Sequence, residues 1–287
     1  MKLHKVPFNL DATLCCGQVF RWNKIGDWWY GVAKNKIIKI RQVNNEIEVS
    51  NADEDFVKNY FGLDDNLEKI SAEIGKDAHI RKTIRHFWGL RIIRQDPWEC
   101  LISYICATYK NIPAINRMLL ELSRKFGEKT PLNGMELFTF PTPQQLAEAP
   151  CGDLIDCGLG YRAKYVQETS KRIFEDNFEL DHIRQLPYVQ AKKALCAFPG
   201  VGPKVADCVL LFSMGKLEAF PVDRWIERVL RNHYFKHLPS ELAKKLAARE
   251  GLSNSEYAKL NAFGRQYFGE YAGYAQEYLY HYERLKT

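Results

Sequence analysis

"LCAFPGVGPKVADCVLLFSMG", residues 195–215, holds two helical runs around a four-residue turn. The first helix ends at Phe198. Pro199-Gly200-Val201-Gly202 makes a tight turn, and a second helix starts near Pro203 with an apolar face. Two glycines within three residues allow backbone positions with φ > 0. They also bare N–H groups at a helix N-terminus, which suits a phosphate. Such a contact positions a nucleic-acid backbone without reading its sequence. Taken alone, the turn fits a plain interhelical connection equally well. Lys204 falls in the first turn of the second helix, where the helix N-terminus disfavours a cation and favours the neutral amine. A neutral amine is the form that attacks an electrophile, and alone the residue also fits a phosphate contact. Asp223 follows 19 residues later (223 − 204 = 19) in "FPVDRWIERVL". It stands where a helix N-cap is expected. A capping carboxylate is kept ionised by the N–H groups it accepts from, and a fixed carboxylate also suits a cationic sugar transition state.

Working outward, the first third reads as strands. "WWYGVAKNKIIKIRQVNNEIEVS" alternates apolar and polar residues, with turn signals at Lys34-Asn35-Lys36 and Asn44-Asn45. This predicts an antiparallel meander with one wet face. From about Glu54 the pattern turns helical. "CLISYICATYKNIPAINRMLLELSRKFG" carries helical spacing broken near Asn111 to Pro113, and Pro113 suits a second helix start. "FPTPQQLAEA" reads as a capped helix start. "RAKYVQETSKRIFE", "PYVQAKKALCAF", "RWIERVLRNHYF" and "AGYAQEYLYHYERL" are further helices. The class is α+β: an N-terminal antiparallel sheet domain, then a mostly helical remainder of one or two lobes. The chain has 287 residues, and its +6 formal charge tilts mildly toward a polyanionic partner. Eight cysteines are scattered without a CxxC pair, against a zinc ribbon. No signal peptide or membrane-spanning run is visible, so the expected state is reduced thiols in an intracellular protein of cytoplasm or nucleoid.

The hairpin with "FPVDRW" resembles the helix–hairpin–helix, Gly/Pro…Asp superfamily of DNA glycosylases, and within it the 8-oxoguanine DNA glycosylases. Four other stretches resemble that family in the same order: "CCGQVFRW" at 15–22, "DPWECLISYICA" at 96–107, "GLGYRAKYV" at 158–166 and "GYAQEYLY" at 273–280. The resemblance implies a TBP-like sheet domain with flanking helices over 1–95 and a two-lobed, all-α glycosylase domain over 96–287, with the hairpin at 191–213.

The resemblance also implies roles. Lys204 aligns with the nucleophile that attacks C1′ of the damaged nucleoside, forms a Schiff base and permits β-elimination 3′ to the lesion. Asp223 aligns with the carboxylate that orients and stabilises the charge built in this step. Gly17 resembles the glycine whose carbonyl accepts from N7–H of 8-oxoguanine, and Gln276 the reader of the Watson–Crick edge. Cys208 and Tyr280 resemble the pair that sandwiches the purine, with Pro221 beside them. Tyr161 and Arg162 resemble the wedge and the reader of the opposite cytosine, with Asn111 and Tyr109 nearby. Gly200, Gly202 and Val205 resemble the hairpin's phosphate contacts. No cofactor and no metal are expected, although hairpin carbonyls around Cys196, Phe198 and Val201 would suit a cation. The expected partner is double-stranded DNA containing 8-oxoguanine, bound by a monomer and with no membrane. Two departures stand out: Tyr109 and Ala114 occupy positions where eukaryotic members carry an Asn and an Arg that read the opposite cytosine, which predicts weaker discrimination of that base. Trp225 stands where those members have a histidine near a phosphate. The rival readings are an alkylpurine glycosylase of the same scaffold, which generally lacks the lysine, and a noncatalytic hairpin module, which needs neither Lys204 nor Asp223. The absence of cysteine after Cys208 argues against an iron–sulfur relative.

Overall fold

A computed structural model describes residues 2–4, 6–44, 46–132, 135–248 and 251–286. The alternating first third forms strands β1 Lys2–His4, β2 Trp22–Ile25, β3 Trp28–Ala33, β4 Lys36–Val43 and β5 Glu46–Ser50. They pair antiparallel in the order β1-β5-β4-β3-β2. Lys34 and Asn35 both sit at positive φ, 48° and 60°, in the two-residue β3–β4 turn. That backbone matches the strand twist, which is why a hairpin forms there. The sheet packs Trp29, Ile38, Ile40, Ile47 and Val49 against Leu10, Leu14, Val57 and Phe61.

The expectation of one wet face holds for β4 and β5, which alternate in burial, but fails for β3. Trp29, Tyr30 and Val32 are all buried there, because the outer face is roofed as well. The Lys39 ammonium and the Arg41 guanidinium lie 4.2 Å and 4.4 Å from the Trp28 ring, so long side chains shield aromatic surface while their charges stay wet.

A second core runs through the helices, and its residues come from both ends of the chain: Ala12, Cys16 and Phe20 join Leu67, Ile70, Leu101, Leu210 and Leu279. Proline opens several of these helices within the first turn, as at Pro97–Cys106, Ile112–Phe126 and Pro203–Ser213, where its missing N–H costs nothing. Asp96, Asn111 and Thr142 cap helices through their side chains. One feature runs against the expected all-helical remainder. Strands β6 Lys129–Leu132 and β7 Met135–Phe138 pair antiparallel after the helix that ends at Phe126.

Gln18 joins the two cores. Its side chain donates to Thr13 O (3.1 Å) and Arg91 O (2.8 Å) and accepts from Ile93 N (2.8 Å). Its backbone carbonyl accepts from Gln95 Nε2 and the Tyr104 hydroxyl. A fully buried amide so completely partnered fixes the loop on which Gly17 sits. Arg91 extends the same seam, donating to the carbonyls of Pro7, Gly62 and Asp65. Among the described residues no helix is long and apolar enough to cross a membrane.

Candidate active site

A cavity of about 340 Å³ opens where the hairpin, the Gly17 loop and the C-terminal helix Ala272–Leu285 meet. Its size falls in the range of small-ligand sites, roughly 300–1,000 Å³. Lys204, Asp223, Gly17, Cys208, Gln276, Tyr280, Pro221 and Asn111 all line it. These residues span most of the chain, so the fold brings together what the sequence scatters.

The hairpin is built as its residues dictate. Helix Tyr188–Cys196 ends before Pro199, Gly200 takes φ 77°, and helix Pro203–Ser213 begins after Gly202. A Cβ on Gly200 would stand 2.8 Å from Tyr165 Cβ, so the turn is closed to any other residue on both conformational and steric grounds. Gly202 is exposed, with nothing within 4 Å of its absent Cβ. Val205 is buried.

Lys204, half-buried in the first turn, holds its Nζ 5.4 Å from the centre of the Tyr104 ring. That ring stacks on Phe212 at 5.6 Å and meets Phe20 edge-on. The wall behind the amine is therefore aromatic and dry. Asp223 caps helix Arg224–Val229, and its Oδ1 accepts from Trp225 N (3.0 Å) and Ile226 N (2.9 Å). The cap is as expected, but its consequence for charge is not. Burial pushes the carboxyl above the ordinary aspartate range, and the Ile226 and Trp225 N–H groups and the Lys204 charge offset only part of this. Desolvation outweighs hydrogen bonding here.

The opposite wall carries the base-pocket candidates. Gly17 takes φ 100°, and a Cβ there would lie 3.1 Å from Ile112 Cδ1 and 3.2 Å from the Tyr280 hydroxyl. Gln276 and Tyr280 stand one turn apart on the C-terminal helix. Gly273 lets that helix approach: its N–H donates to Leu217 O at 2.7 Å, and a Cβ would strike Leu211. Tyr274 anchors the same helix to Asp65 of the N-terminal region at 2.7 Å. Gln276 is buried, and its Oε1 meets no hydrogen-bond partner among the described residues. Cys208 is buried too, with its thiol pushed up to about 12 by burial. It is a packing face, not a nucleophile.

Tyr109, Tyr161 and Arg162 lie outside the cavity lining. Tyr109 is 86% exposed at φ 54°, and Tyr161 is 58% exposed. Arg162, implied by the resemblance to read the opposite cytosine, is held inward. It is only 4% exposed, its guanidinium donates to the carbonyls of Thr108 and Leu159, and it stacks on Tyr161. In this state it ties the Tyr109 turn to the Tyr161 turn. Two residues had no local signal in the sequence reading: Gln18, which fixes the Gly17 loop, and Glu277, a buried carboxyl on the cavity wall. Only long-range packing reveals either.

The chain is similar to known proteins along nearly its whole length. Residues 1–101 match the family described as 8-oxoguanine DNA glycosylase, N-terminal domain, and residues 102–250 match the HhH-GPD superfamily base excision DNA repair proteins. The chain is 31% identical to the N-glycosylase/DNA lyase OGG1 of Arabidopsis thaliana, over 98% of this chain and 78% of that protein. It is 30% identical to the N-glycosylase/DNA lyase of Saccharomyces cerevisiae, over 98% of this chain and 84% of that one. The fold superposes on the Clostridium acetobutylicum 8-oxoguanine glycosylase/lyase in complex with duplex DNA bearing cytosine opposite 8-oxoguanine. There the TM-score is 0.87 at 32% identity, covering 100% of this chain and 98% of that one.

Proposed function

This chain belongs to the HhH-GPD superfamily of base excision DNA repair proteins and carries the N-terminal domain of the 8-oxoguanine DNA glycosylases, and from that premise we propose that it is a bifunctional N-glycosylase/DNA lyase that excises 8-oxoguanine from duplex DNA. The observation that carries the reading is the convergence of Lys204, Asp223, Gly17, Cys208, Gln276 and Tyr280 on one cavity. A paired base hides its glycosidic bond in the stack, so the nucleotide is extruded into that cavity.

There the purine lies between Cys208 and Tyr280, and Gln276 meets its Watson–Crick edge. The Gly17 carbonyl accepts from N7–H. Guanine has a lone pair at N7, so it leaves that acceptor unpaired at a cost of roughly 1–3 kcal/mol. Lys204 Nζ attacks C1′ as the bond to the base breaks, and the sugar opens to an imine on the lysine. Asp223 faces the positive charge that develops on the sugar. β-Elimination then removes a proton from C2′ and breaks the C3′–O bond, so a C2′–C3′ double bond forms and the 3′ phosphate leaves. One copy of the chain suffices, since every residue in this account lies on it. The hairpin N–H groups at Gly200, Gly202 and Val205 hold the phosphate backbone. Borohydride trapping tests the central step: the wild type forms a covalent adduct with an 8-oxoguanine duplex, and Lys204→Gln forms none. Trapping that survives in K204Q refutes the assignment.

Opposite-base reading is weaker than in relatives with the full polar set. Ala114 has no donor, Tyr109 has a single hydroxyl, and Arg162 is engaged by backbone carbonyls. Single-turnover excision rates against the four opposing bases are expected to fall within about tenfold of one another, a spread of about 1.4 kcal/mol. A cytosine preference of about a thousandfold contradicts this.

A further inference from the structure

The reaction proposed above leaves one buried carboxyl of the cavity wall without a task. Glu277 follows Gln276 on the C-terminal helix, is 2% exposed, and lines the cavity. Its Oε1 is shut off from solvent and has no hydrogen-bond partner among the described residues. The neighbouring Gln276 Oε1 is in the same condition. Buried polar atoms are nearly always paired, so two orphans side by side on a cavity wall point to something that enters the cavity. The titratable and charged groups that act on Glu277 are the Cys16 thiol, which hydrogen-bonds the carboxyl, the Asp223 carboxylate and the Arg284 guanidinium. Tyr104, Cys208 and Tyr280 also lie within its electrostatic reach.

We propose that Glu277 is a base-contacting residue that, in its protonated form, donates a hydrogen bond to an acceptor of the extruded keto-purine. The proposal rests on reading the cavity as the base pocket. A keto-purine presents carbonyl oxygens and ring nitrogens, all rich in lone pairs. Against these a neutral acid offers an O–H donor, whereas an ionised acid offers only acceptors and a negative charge. Burial keeps the proton in place: it pushes Glu277 up to about 7, against the lowering effects of Cys16 and Arg284. Buried acids held neutral to act as donors are a known device in enzyme pockets. Gln276 and Glu277 would then meet the base as a pair, one amide and one acid.

The test compares two activities of each variant: excision of 8-oxoguanine in a single turnover, and nicking of an abasic-site duplex, where there is no base to contact. The ratio of the two isolates base contact from folding and from Lys204 chemistry. Between about pH 6 and pH 8.5 the wild-type ratio is expected to fall by about tenfold, the scale set by one unit of titration. Glu277→Gln keeps a donor and the shape but cannot titrate, so its ratio stays level across that range. Glu277→Ala lowers the ratio at about pH 6 by about tenfold or more. The proposal is overturned if wild-type and E277Q ratios show the same pH profile, or if both activities of E277A fall together. Should E277A not fold, the E277Q profile decides. Lys204→Gln, assayed in parallel, reports separately on the cavity reading, since retained trapping there refutes that reading whatever Glu277 does.

Discussion

At the scale of the residue, Asp223 joins two tasks that one substitution separates. Asn caps a helix about as well as Asp, so Asp223→Asn keeps both bonds to Trp225 and Ile226 and changes stability by less than about 1 kcal/mol. It removes the negative charge, and single-turnover excision is expected to fall by roughly 10²-fold or more. A variant that unfolds in step with its lost activity contradicts this division. The pH dependence follows from the raised pKa. The active form is the carboxylate, so activity is lost as pH falls through the folded value. That loss begins at a higher pH than for an ordinary aspartate. Lys204 and Asp223 were legible in the sequence because turn glycines, helix start and cap are local signals. The raised pKa of Asp223 was not, because burial is supplied by distant segments. Glu277 is the sharper case. In the sequence it is one more glutamate in an amphipathic run, and its burial by distant segments, with Cys16 against it, gives it a distinct character.

At the scale of the element, the two hairpin glycines are expected to behave differently. Gly200→Ala meets both a left-handed backbone and Tyr165. It should destabilise the protein by about 1–3 kcal/mol. Gly202 has φ −86° and open space around its Cβ position. Gly202→Ala therefore leaves stability within about 0.5 kcal/mol and weakens duplex binding by roughly tenfold, through a methyl group where the phosphate approaches. Thermal melts and binding titrations of both variants check the contrast, and equal thermal losses refute it. Element types were well read where periodicity was long: the β3–β4–β5 meander and the helices around the hairpin. The β6–β7 pair was missed although "PLNGMEL" carries an Asn-Gly hairpin signal. Its strands are too short for alternation to stand out beside a strong helical run. The burial of Arg162 against two backbone carbonyls was not legible, because nothing local shows that they lie within reach of its guanidinium.

At the scale of the whole molecule, the sheet core and the helical core meet at a seam centred on one buried amide, Gln18. Gln18→Leu conserves volume but strands Arg91 O and Ile93 N and leaves Thr13 O with only the Cys16 thiol as donor. We expect a loss of roughly 2–5 kcal/mol, read as a melting temperature lower by roughly 5–15 °C. An unchanged melt would show that the two cores do not depend on this seam. The cavity itself has a further consequence, for the order in which the protein is made. One wall comes from residue 17 and the other from residues 276–280. Synthesis adds roughly 5–20 residues per second, so tens of seconds separate the two walls on the ribosome. The hairpin at 199–202 precedes Gln276 by 74 residues (276 − 202 = 74), so for roughly 4–15 s of that interval it exists without the helix proposed to read the base. On the proposed reading, a nascent or truncated chain can thus hold the phosphate-gripping turn and the nucleophilic lysine before it holds Gln276 and Tyr280 of the base pocket. On that reading, the pocket that tells one base from another closes after the turn that holds the strand.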